Sequence, residues 1–116
     1  MKLLCEIMAQ DVLPSVRAIM SKELISEHKM SQNDVAQLLG VSQPAVSQYM
    51  RQLRGSSELV ANEKIHNDIK VLCAKAKDKK LSETELVKEL DDICRVAALL
   101  IIENGKTHSQ KEMSEN

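Results

Sequence analysis

The chain contains no phenylalanine, no tryptophan and a single tyrosine, Tyr49. A core without large rings has to be filled by Leu, Ile, Val, Met and Ala, side chains that suit closely packed helices better than sheets. No segment reads as a strand. No run of about 18 apolar residues occurs and no charged-then-apolar signal segment opens the chain, so the expectation is a soluble, cytoplasmic protein with no membrane partner. The three cysteines, Cys5, Cys73 and Cys94, are odd in number and never form a CxxC pair, which argues against a secreted disulfide framework. Net charge is −1, so no global positive field gathers nucleic acid, and any affinity for DNA must come from a local face, present in two copies. There is no nucleophile beside a base, no glycine-rich phosphate loop, and no carboxylate pair outside charged helix faces such as Asp91-Asp92. A non-enzymatic protein without a cofactor is the expectation. His28, His66 and His108 have no partners at ligand spacing and read as solvated surface positions, so no metal is expected either.

What the chain does have is a patterned stretch at residues 31–55, SQNDVAQLLGVSQPAVSQYMRQLRG. Val35, Leu38 and Leu39 form one apolar stripe at helical spacing, and Val46, Tyr49, Met50 and Leu53 form a second. Only Gly40-Val41-Ser42 lies between them. Gly40 suits the left-handed position that ends a helix, because a residue without Cβ meets no steric penalty there. Ser42 stands where an N-cap is needed, and Pro44 falls in the first turn of the next helix, where a missing N–H costs nothing. Ala36 is small where two helices must cross closely. Two short helices joined by a three- to four-residue turn containing glycine make a helix-turn-helix, whose second helix, about Gln43–Leu53, enters the major groove of double-stranded DNA.

Gln43, Ser47 and Arg51 recur every four residues on the side opposite Val46 and Met50. Gln43 can pair with adenine N6 and N7, Ala45 can touch a thymine methyl, Ser47 and Gln48 can reach a base or phosphate, and Arg51 can meet guanine or phosphate. Ser42 opens this helix at the groove. For Gln48 and Gln52, a merely solvated helix face accounts for the pattern as well as contact does; for Gln43 and Ser47 the frame favours DNA. The stretch resembles the helix-turn-helix of the phage repressor and Cro (Cro/C1) class. Together with CEIMAQDVLPSVRAIMSKEL at residues 5–24, it also resembles a small family of predicted archaeal transcriptional regulators, over the first half of the chain above all. The first resemblance implies that Gln32 pairs with Gln43 and bridges to a phosphate. Pro44 departs from the polar residue usual at the second position and removes one contact. The second implies further cysteines in a CxxC-like group beside the last helix; Asp91 stands three before Cys94, so that set is incomplete. Cys73 and Cys94 then read as small buried hydrophobes.

The expected fold is all-α, about five helices, with a repressor/Cro-like helix-turn-helix followed by a helical dimerisation element. Asp11 is placed as the cap of a first helix carrying Val16, Ile19, Met20 and Leu24 and ending near His28. Arg54-Gly55-Ser56-Ser57 breaks the pattern, and Ser57 caps a fourth helix with Val60, Ile65, Ile69, Leu72, Cys73 and Ala76. Ser82 and Glu85 form a capping box, and Leu81 with Leu86 a hydrophobic staple, at the start of a fifth helix bearing Leu86, Leu90, Ile93, Ala97 and Leu100 and ending at Asn104-Gly105. The divisions are 1–55 for DNA binding, 56–105 for a helical pair, and 106–116 for a disordered tail. Val96 to Ile102 is apolar nearly all round, more than so small a domain readily buries, so Ile93, Ala97, Leu100 and Ile101 are candidates for a two-fold interface. The alternative is that this helix packs only within its own subunit. The sequence thus reads as a homodimeric, sequence-specific transcriptional regulator. The other reading is a protein-interaction module, antitoxin-like or a co-regulator, that touches DNA only with a partner. An effector pocket, if there is one, is expected between the fourth and fifth helices.

Overall fold

The computed structural model describes residues 1–51 and 62–115, and every regular element among them is helical, in keeping with the aromatic-poor composition. In order these are α1 (Leu4–Ile7), a π-helical turn (Met8–Val12), α2 (Leu13–Ser26), α3 (Gln32–Leu39), α4 (Gln43–Arg51), α5 (Glu63–Lys77) and α6 (Glu83–Glu115).

The first three run on from one another with helical backbone at the junctions, so the leading helix starts at Leu4 and not after Asp11. Its start is fixed by Glu6, whose carboxylate accepts the Leu3 N–H at 3.1 Å. Asp11 lies inside the π-turn instead of capping anything. Pro14 gives a reason for that turn: a proline cannot donate to the carbonyl four residues back and its ring crowds it. In the widened turn the Leu13 N–H donates to the Met8 carbonyl, five residues back.

Val12, Val16, Met20 and Leu24 are all fully buried along this rod, while Ile19 is only half-buried. α4 and α5 pack on α2, and α6 lies against α5, the π-turn and α1. The other side of the core comes from Val35, Val46, Ile65, Ile69, Leu72 and Cys73, with Ile93, Cys94, Ala97 and Ala98 on α6. Each fully buried Val, Leu, Ile or Met is worth about 1.5–3 kcal/mol, so the cohesion of this aromatic-free core rests on number and not on a few large side chains.

α5 begins at Glu63 because Asn62 caps it, the Asn62 Oδ1 accepting the Ile65 N–H at 2.9 Å. The break placed at Arg54-Gly55-Ser56-Ser57, the Ser57 cap and Val60 lie outside the described residues, as do Gln52 and Leu53. α6 starts as the sequence indicates: the Ser82 N–H donates to Glu85 Oε1 at 3.1 Å and the Glu85 N–H donates to Ser82 Oγ at 3.2 Å. Leu81 and Leu86 are both half-buried against the core, as a staple requires. The backbone stays helical past Asn104-Gly105 as far as Glu115, so residues 106–115, read from the sequence as a disordered tail, continue the helix. A glycine inside a helix costs about 1 kcal/mol relative to alanine, and no proline follows to enforce a stop. Among the described residues no helix is long and apolar enough to cross a membrane.

Candidate nucleic-acid interface

α3 and α4 form the helix-turn-helix, and each joint in it has a chemical cause. Ser31 caps α3, its Oγ accepting the Asp34 N–H at 3.1 Å. The helix closes at Gly40, whose φ of 70° lies in the left-handed region. The Val41 N–H then donates to the Ala36 carbonyl at 3.0 Å and the Gly40 N–H to the Gln37 carbonyl at 3.4 Å, which satisfies carbonyls the helix end would leave bare. A Cβ at Gly40 would meet nothing within 4 Å, so the demand there is purely on backbone angle. Ser42 caps α4 through its Oγ, which accepts the Ala45 N–H at 3.2 Å. Val46 is the buried residue of α4 and Val35 and Ala36 are those of α3, so α4 turns its remaining faces outward.

That outward surface brings the candidate reading residues together. Ser42, Gln43, Gln48 and Arg51 are exposed; Gln32, Ala45 and Ser47 are half-buried. The Gln43 amide Nε2 donates to Gln32 Oε1, so the two glutamines are bonded across the turn as the repressor/Cro resemblance implies. Arg51 Nη2 donates to Ser47 Oγ at 3.3 Å, one turn along the same helix. The ridge therefore carries two side-chain pairs, each with donors left over for a base edge or a phosphate. A hydrogen bond between two side chains lowers the entropy each must lose on docking, which is how a polar ridge is prepared for a groove. Pro44 is exposed in the first turn and contributes no donor.

The residues expected at a two-fold interface divide differently. Ile93 and Ala97 sit in the chain's own core, and Leu100 and Ile101 are half-buried against it. Among the described side chains, the large apolar ones that α6 exposes are Val87, Val96 and Leu99. Spacing alone missed this because a helix that is apolar all round gives no sign of which side faces inward.

The cysteines are free, Cys5 exposed and Cys73 and Cys94 buried. Burial, with Glu23 nearby, pushes the Cys73 thiol up to about 12. Burial and then Asp91 raise Cys94 to about 11, against a smaller opposing pull from Arg17. Both are neutral thiols at physiological pH and poor nucleophiles. Among the described residues no group of three or more His, Cys, Asp or Glu side chains is placed to hold a metal ion. His66 is half-buried, with a buried Nε2 that has no hydrogen-bond partner among the described residues, so its ring belongs to the packing and not to the solvated surface.

The family model of the ParB HTH domain matches residues 10–95, well over half the chain and the whole of α2 to α5. No curated protein and no solved structure matches the chain.

Proposed function

The chain belongs to the ParB HTH domain family, and on that premise we propose that it is a sequence-specific DNA-binding transcriptional regulator acting as a homodimer. The observation that carries the reading is the Gln32–Gln43 hydrogen bond at the exposed head of α4. It fixes the orientation of the Gln43 amide, the group with the geometry to pair with adenine in the major groove. Gln43, Ser47 and Arg51 read or grip one half-site, with Ala45 and Gln48 beside them and Ser42 and Gln32 toward the phosphates. The segment after residue 55 supplies the pairing surface, through the exposed edge of α6 at Val96 and Leu99 with Leu100 and Ile101 at its margin. Two copies compensate for a net charge of −1 by doubling the phosphate contacts of a local face.

Selection of bound duplexes from a random DNA pool, with the protein's mass in solution measured alongside, tests this directly. A short palindrome enriched by a dimer is the expected result, with half-sites about one helical turn apart. A well-folded protein that enriches no sequence contradicts it and leaves DNA contact dependent on a partner.

A further inference from the structure

Away from α4, a pocket of about 540 Å³ opens between the π-turn, the start of α2 and the first half of α6. Its walls are aliphatic, formed by Met8, Ala9, Leu13, Leu39, Val87 and Leu90. The volume lies within the roughly 300–1,000 Å³ of small-molecule sites, which combine mainly apolar walls with a few polar groups. The π-turn contributes Met8 and Ala9, and such turns recur where a helix is reshaped around a function.

Three charged side chains line the pocket: Arg17, Asp91 and Arg95. Asp91 is already neutralised, since Arg95 Nη2 donates to its Oδ2 at 3.0 Å. Arg17 is half-buried and makes no hydrogen bond or ion pair with another described residue. Cys94 adds no charge, its thiol being held protonated by burial. The pocket is therefore an open, largely aliphatic recess with one guanidinium in its wall that no described residue pairs. A cation partly removed from water and left unpaired is stabilised by an anion.

We propose that this pocket binds a small aliphatic carboxylate, its chain against the apolar walls and its carboxylate on Arg17. No aromatic residue lines the recess, so a flexible alkyl chain fits it better than a stacked ring. Leu39, the last residue of α3, is part of the wall, so a bound molecule touches the helix-turn-helix at the residue before Gly40. That occupancy alters DNA binding rests on the function proposed above; the presence of the site does not.

Isothermal calorimetry on the full chain without DNA separates the two, with decanoate as the probe and decanol as its uncharged counterpart. One decanoate per chain is expected, with decanol binding roughly tenfold more weakly or worse. Arg17→Gln removes the preference for the acid and leaves decanol binding unchanged. Ala9→Trp, at an exposed position of the π-turn, fills the recess and abolishes both, and helical circular dichroism confirms that each variant is folded. No binding at low millimolar decanoate, equal binding of acid and alcohol, or full binding by the Ala9→Trp protein each overturns the proposal.

Discussion

α4 and α6 expose opposite chemistries. α4 is nine residues long, buries Val46, and presents Ser42, Gln43, Gln48 and Arg51 to solvent. α6 is 33 residues long, buries Ile93, Cys94, Ala97 and Ala98, and presents Val87, Val96 and Leu99 among its charges. The short helix is held by its Ser42 cap and by the helices it crosses, and what it exposes is hydrogen-bonding capacity, suited to a wet, polar groove. The long helix contributes a full stripe to the core and still has apolar side chains left over, suited to another protein surface. A chain of net charge −1 has no bulk attraction for DNA, so in the function proposed above the polar ridge supplies the contacts and the apolar edge brings a second ridge beside it.

The largest effect expected is on the core that carries both helices. Ile69→Ala, at a fully buried site on α5, should cost about 2–5 kcal/mol in urea unfolding, and a loss below about 1 kcal/mol would contradict a continuous core around α5. Next comes the apolar edge. Leu99→Glu should weaken the proposed dimer by about 2–4 kcal/mol in sedimentation equilibrium, with the fold intact, because a charge would be desolvated in the proposed interface. An unchanged dimer removes this edge of α6 from the comparison. Gln43→Ala should cost about 1–3 kcal/mol of specific DNA binding and relax discrimination at one base position, while leaving the dimer alone. The smallest effect is at the start of α6. Ser82→Ala should lower stability by about 1 kcal/mol through loss of the cap.

The same cap has a pH signature. The Ser82 backbone N–H, and then the Ser82 hydroxyl, hold the Glu85 carboxyl below its ordinary 4.5. A lowered folded-state value means that the carboxylate contributes stability fully above pH 4.5 and loses it as pH falls through that lower value. Glu85→Gln should flatten that part of the acid unfolding curve; an identical curve would show the box to be energetically idle.

How much of this the sequence discloses depends on where the determining interactions lie. The helix-turn-helix is legible nearly to the residue because its joints are local: Ser31 to Asp34, Ala36 to Val41, Ser42 to Ala45. The capping box at Ser82 and Glu85 is legible for the same reason. The leading helix is misjudged because Asp11 followed by Pro14 has the form of an N-terminus, while the actual cap is Glu6 reaching back to Leu3, and the π-turn absorbs the proline. Asn62 is overlooked in favour of Ser57, although Asn62 with Ile65 three residues on is an ordinary capping spacing. Asn104-Gly105 suggests a stop, yet the structure carries the helix through. The side of α6 that faces inward depends on contacts with α1, the π-turn and α5, distant in sequence. The pocket at Arg17 belongs to the same class: a lone arginine between apolar residues gives no signal until three separated segments come together around it. A second recess of about the same volume, lined by Ala76, Leu81, Leu86 and Leu90 among others, does lie between α5 and α6, where the sequence points for any effector site.

The central claim is that α4, and not the apolar helix, meets DNA. Titration of uniformly ¹⁵N-labelled protein with its selected duplex, followed by amide chemical shifts, tests it most directly. The largest shifts are expected at Gln32 and along Ser42 to Arg51, with Val87, Val96 and Leu99 unmoved by DNA. Shifts concentrated on α6, with α4 silent at saturating duplex, would contradict it.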